Sequence, residues 1–182
     1  MMLFKRCLAA SFVVGAALLS GCAATVSKPT GTQAPLAVAP AATKQIVMHV
    51  TGGDTALKSA DWELLRAEWR TQMKAASDAA GLPFRYQEAA PKAGDEDGTV
   101  VVVRVNDYRY LTAGARYGFG VFTGNAFVDT DVDFLDLRSG SSFGKRKYNS
   151  SSSAWEGIFS AMTDKQLLAI CTEIVGEVKK TK

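Results

Sequence analysis

Three aspartates at alternate positions, Asp129, Asp131 and Asp133, are a set of metal-ligating side chains at regular spacing in this 182-residue chain. A calcium loop opens with oxygen ligands at that spacing, but it then needs a glycine for the sharp turn and a closing bidentate glutamate. Phe134 and Gly140 stand at those two places, so the aspartates read as the solvent face of a strand. The single histidine, His49, lies inside an apolar run and has no partner motif to orient its ring, as a triad or His-based metal site requires. Ser150 to Ser153 have no neighbouring base to activate them. The stretch Gly114-Ala115-Arg116-Tyr117-Gly118-Phe119-Gly120 lacks the Gly-Lys-Ser/Thr ending of a phosphate loop. It reads as a strand-to-strand connection in which Arg116, Tyr117 and Phe119 form a candidate recognition loop. No catalytic, cofactor-binding or metal-binding residue is assigned, and the expectation is a protein that is not an enzyme.

One residue does carry defined chemistry. Lys5 and Arg6 precede an apolar stretch from Leu8 to Leu19, which closes on Leu19-Ser20-Gly21-Cys22. A cationic start, a short apolar run and small residues at the cleavage point make a signal peptide. The run is shorter than the roughly 20 apolar residues needed to span a bilayer. Cleavage is expected between Gly21 and Cys22, with lipid on the Cys22 thiol as the membrane attachment.

Of the three cysteines, Cys7 leaves with the signal and Cys22 carries lipid, so Cys171 alone remains for the domain and no internal disulfide is available. Its apolar helical setting makes it a buried thiol. The formal charge of the whole chain is +3; losing Lys5 and Arg6 from 21 basic residues leaves 19 against 18 acidic ones. So even a balance offers no footprint for nucleic acid. The expected organisation is a signal over 1–21, a lipidated cysteine and Ala/Pro-rich tether over 22–43, and one domain over 44–182. A polyproline-like tether of that length would reach about 65 Å.

Within the domain, Lys44 to Thr51 alternates as a first strand. Trp62, Leu65, Trp69, Met73 and Ala76 recur at helical spacing behind Asp61, a candidate N-cap, with Gly81 as the stop. Trp62, Trp69 and Trp155 are expected to supply core area. Further strands are read at Leu82 to Tyr86, Thr99 to Tyr110, Ala126 to Leu137 and Phe143 to Asn149. If the last two form a hairpin, Lys145 and Lys147 face the aspartate row. Thr163-Asp164-Lys165-Gln166 matches a capping box ahead of Leu167, Ile170, Cys171, Ile174 and Val178. The fold class is α+β: a two-layer sandwich, with a mostly antiparallel sheet of about five strands and two helices on one face.

The Gly114 to Gly120 stretch, the strand ending Phe134-Leu135-Asp136-Leu137-Arg138-Ser139-Gly140 and the terminal helix together resemble uncharacterised bacterial envelope lipoproteins. The tetrapeptide before Cys22 resembles that of lipoproteins generally, which implies diacylglycerol on the Cys22 sulfur, cleavage before it and N-acylation, with palmitate. Ala23 rather than aspartate follows, which in that resemblance implies the outer membrane, facing the periplasm. The function expected is a non-enzymatic interaction or assembly module with an envelope protein partner and no cofactor. A small-ligand or glycan-binding lipoprotein is the alternative.

Overall fold

In a computed structural model of the chain, the described residues are 26–27, 34–109, 126–151 and 162–180. They form β1 (Val26–Ser27), a 3-10 turn (Pro40–Lys44), β2 (Ile46–Gly52), α1 (Asp54–Leu57), α2 (Trp62–Ala79), β3 (Phe84–Tyr86), β4 (Thr99–Arg109), β5 (Phe127–Asp136), β6 (Ser142–Ser151) and α3 (Met162–Lys179). The class is α+β, but the sheet is mixed. Its order is β1-β6-β5-β4-β2-β3, with β2 parallel to both β3 and β4, and the pairs from β4 through β6 to β1 antiparallel. This corrects the mostly antiparallel expectation for the β2 side. The physical reason is the α2 crossover, which returns the chain to the starting end of β2, so β3 must run the same way.

The period-2 and period-3.6 patterns dock on each other as expected. Ile46, Met48, Val50, Val101, Val103, Val105, Val128, Val132 and Phe134 point to one sheet face. Leu65, Trp69 and Met73 of α2 and Leu167, Ile170 and Ile174 of α3 cover it, all fully buried. Cys171 is buried among them, and burial pushes its thiol pKa well up. Helix α2 stops in a Schellman turn: Gly81 takes φ +67°, Leu82 N–H bonds the Ser77 carbonyl at 2.9 Å and Gly81 N–H that of Asp78 at 3.0 Å.

Three local expectations change. Asp61 sits at the N-cap position of α2, yet its carboxylate makes no capping bond; Ser59 Oγ and Tyr108 OH donate to it instead, at 2.6 and 2.7 Å. Helix α3 begins at Met162, and Gln166 does not close a capping box: its Oε1, the acceptor a box needs, has no partner among the described residues, while its amide nitrogen donates to the Ala126 carbonyl at 3.2 Å. Residues 34–43, read in the sequence as part of the tether, pack on the domain instead. Leu36, Val38 and Ala42 are buried in the main core, Arg146 Nη2 donates to the Ala34 carbonyl at 2.8 Å, and Thr99 Oγ1 donates to that of Ala42 at 2.9 Å. An Ala/Pro-rich composition without a sustained period hides three apolar side chains that the open edge of β6 and the lower core accept.

Candidate interaction surface

With α2 and α3 on one face, the other face of the sheet meets solvent. Arg104, Asn106, Asp129, Asp131, Asp133, Lys145 and Lys147 alternate with core residues and stand on it. The expected hairpin forms, with Asp133 opposite Lys145 and Asp131 opposite Lys147. Lys145 Nζ lies 2.9 Å from Asp133 Oδ1, while Lys147 reaches diagonally to Asp129 Oδ1 at 3.3 Å. Asn106, the extra residue at a bulge in β4, donates to Asp131 at 2.7 Å. The aspartate row is thus spent on cross-strand pairs worth roughly 0.2–1 kcal/mol each, which fix register. Among the described residues no cluster of three His, Cys, Asp or Glu side chains could hold a metal.

The lower end of this face is partly covered by the 87–98 connection, which carries the chain from the end of β3 back to the start of β4. Its backbone brackets Leu137 through Gly94 N–H to Leu137 O at 3.2 Å and Leu137 N–H to Gly98 O at 2.9 Å. Val47, Val100 and Leu137 form a small second core beneath it. Around that core runs a charge network. Lys44 and Arg138 grip Asp97 at 2.7 and 2.8 Å and hold its carboxyl below the usual carboxylate range. Arg85 meets Glu96 at 2.7 Å and, with Gln45, lowers that carboxyl too. A cleft of ≈ 500 Å³ opens here, lined in part by Arg85, Gln87, Lys92, Asp95, Glu96 and Leu137. Sequence reading missed this network because Lys44, Gln45 and Arg138 lie 41 to 53 positions from their acidic partners, and even Arg85 meets Glu96 across 11 positions without a periodic pattern to link them. The acidic turn alone was legible, as a turn.

Other candidate residues separate in space. His49 Nδ1 lies 3.2 Å from the Gln87 carbonyl, a backbone partner that fits a structural role. Ser150 is buried in β6. Tyr108, in β4, packs at 6.4 Å on Trp62. Its pKa is pushed up to about 12 by burial above all, with Asp61 adding to the rise against an opposing bond from Ser59. Gly21, Cys22, Arg116, Tyr117, Phe119 and Trp155 lie outside the described residues. The strand ends between which the candidate recognition loop runs are described: Arg109 closes β4 with its guanidinium 5.7 Å over the ring of Phe127, which opens β5.

No protein-family model matches the chain, and no curated protein matches it in sequence. Solved structures do share its fold. A PelC dodecamer from Paraburkholderia phytofirmans, in a form carrying one substitution, is 15% identical, with a TM-score of 0.50 over 87% of this chain and 98% of that one. A Xanthomonas campestris protein of family DUF330 is 13% identical, with a TM-score of 0.47 over 79% and 90%. A Caulobacter crescentus protein provisionally designated a lipoprotein is 16% identical, with a TM-score of 0.34 over 72% and 86%. At these identities the likeness is one of fold, and of the three the first carries it. Among the described residues no helix is long and apolar enough to cross a membrane.

Proposed function

We propose that this chain is a lipid-anchored, non-enzymatic lipoprotein of the bacterial envelope that serves as an interaction or assembly module. The observation that carries the reading is Leu19-Ser20-Gly21-Cys22 immediately ahead of a folded α+β domain. Lipid on Cys22 makes attachment stable, since each buried CH₂ contributes ~0.8 kcal/mol and more than one chain is added. Ala23 after the cysteine supports the outer membrane as the address, with the domain in the periplasm. The helix-free sheet face, polar and locked into register by its own ion pairs, is the surface offered to a protein partner. PelC is described as a dodecamer, and another copy of this chain is one form such a partner can take.

The test is acyl labelling and fractionation of Cys22→Ala in cells, followed by in-cell crosslinking of the lipidated protein. Loss of label and of membrane association, with a reproducible crosslinked partner for the parent protein, supports the reading. Unchanged fractionation of Cys22→Ala refutes the anchor. The cleft at Arg85, Lys92 and Glu96 favours a second reading, a binder of small polar or glycan ligands. A purified monomer that retains a small molecule in native mass spectrometry, and loses it in Arg85→Ala, would decide for that reading.

A further inference from the structure

We infer that the end of the sheet where β2 and β4 finish and β5 begins is a bilayer-contacting surface, on which Leu57, Leu64 and Leu168 meet the lipid interface. The inference rests on the reading of Cys22 as the lipid-bearing residue. The segment Ala23-Ala24-Thr25 is all that separates Cys22 from Val26, and at most ~3.6 Å per residue the cysteine stands within about 14 Å of it. Val26 pairs with Ser150 and Ser27 with Asn149. Those partners lie near the finish of β6, level with Val128 of β5 and hence with Tyr108 of β4. Ala34 and Leu36 lie farther from that end along β6, for Arg146 bonds the Ala34 carbonyl and a Cβ on Gly144 would come within 2.7 Å of Leu36. Strand β4 has 11 residues, so at ~3.3 Å per residue the opposite end of the sheet lies about 33 Å away. That is beyond the reach of the three-residue link.

The side chains at the near end agree. Among the described residues the exposed large apolar side chains are Leu57, Leu64 and Leu168, at 51%, 55% and 39%. Single exposed leucines are ordinary, but these three share one end. Leu57 closes α1, directly after β2 finishes, and Leu64 lies in the first turn of α2, where Trp62 packs against Gly52 and Tyr108. Leu168 lies in the second turn of α3, next to Gln166, whose amide reaches Ala126 at the start of β5. The helices run parallel, since Lys179 near the other end of α3 reaches the Ala80 carbonyl at the end of α2. At this end Lys58, Arg109 and Lys165 are outnumbered by Asp54, Asp61, Glu63, Asp107 and Asp164. Contact there therefore depends on the apolar side chains and the acyl chains rather than on attraction to anionic lipid.

The test uses the full lipidated chain, reconstituted in vesicles of phosphatidylethanolamine and phosphatidylglycerol. Nitroxide labels are placed one at a time on Leu57→Cys, Leu64→Cys and Leu168→Cys, with Ser139→Cys in the opposite turn as reference. Buried Cys171 does not compete for label in the folded protein. On vesicle binding, collisions with an aqueous nickel chelate are expected to fall several-fold at the three leucine positions and to stay unchanged at Ser139. Full aqueous access at the leucines, or protection at Ser139, overturns the inference. The mass of the N-terminal peptide separates the two failures. An acylated Cys22 with exposed labels sinks this orientation alone, and an unmodified Cys22 with no vesicle binding sinks the lipid anchor along with it.

Discussion

Arg146 and Glu177 join β6 to α3 through an ion pair of 3.1 Å between side chains that are only 11% and 12% exposed. Arg146 Nη2 also donates to the Ala34 carbonyl at 2.8 Å, and Nη1 to that of Lys145 at 2.9 Å. Glu177→Leu would leave the guanidinium in a low-dielectric site with carbonyls as its sole acceptors. Breaking one side of a buried pair costs about 3–5 kcal/mol. The two surviving bonds relieve part of this, so a loss of about 2–4 kcal/mol is expected. Pairing Glu177→Leu with Arg146→Met strands no charge and should cost less than Glu177→Leu alone, its remaining loss reflecting the released Ala34 segment. The assay is urea unfolding of the mature domain carrying Cys22→Ser, followed by tryptophan fluorescence. The pair also has a pH signature. Burial pushes the Glu177 carboxyl up, but its bonds from Lys180 and Arg146 outweigh that and hold it below its ordinary 4.5. A folded-state pKa below the unfolded one gives stability that is fully present above pH 4.5 and is lost as acid passes through the lowered value. Glu177→Leu should lose that part of the acid sensitivity. A single-variant loss under about 1 kcal/mol, or a double variant as unstable as the two singles added together, would refute the reasoning.

Leu36→Ala should destabilise the same domain by about 2–5 kcal/mol in urea, as a core truncation does, whereas a residue of a free tether would change nothing. Gly144→Ala should cost about 1–3 kcal/mol, because Gly144 holds φ +137° and its new methyl would meet Leu36, and a neutral result would contradict that packing. Near-ultraviolet titration should show Tyr108 ionising at about 12, up from 10.0. Its contribution to stability is complete below pH 10.0 and lost as pH rises through about 12. Asp61→Asn should bring that ionisation down, and an unchanged titration would show that the carboxylate does not act on the phenol.

The parts of the fold written in local periodicity were legible. Val128, Val132 and Phe134 against Asp129, Asp131 and Asp133 define a one-side-covered strand without reference to any partner. Trp62, Leu65, Trp69 and Met73 likewise define a helix face, and an apolar run closing on Cys22 is a linear signal that needs no folded context. The sequence by itself therefore determined β2 to β6, the two long helices α2 and α3, and the facing charges of the β5–β6 hairpin, and it set the expectation of lipid at Cys22; β1, the 3-10 turn and α1 carry no such periodic signal. The tertiary structure alone decided that β2 runs parallel to β3 and β4, because strand direction depends on where the α2 crossover sets the chain down. It alone decided that Leu36 and Val38 belong to the core, that Asp61 serves Tyr108 rather than its own helix, and that Arg146 finds Glu177. Each of these joins residues tens of positions apart, where no periodicity links them and packing selects the partner.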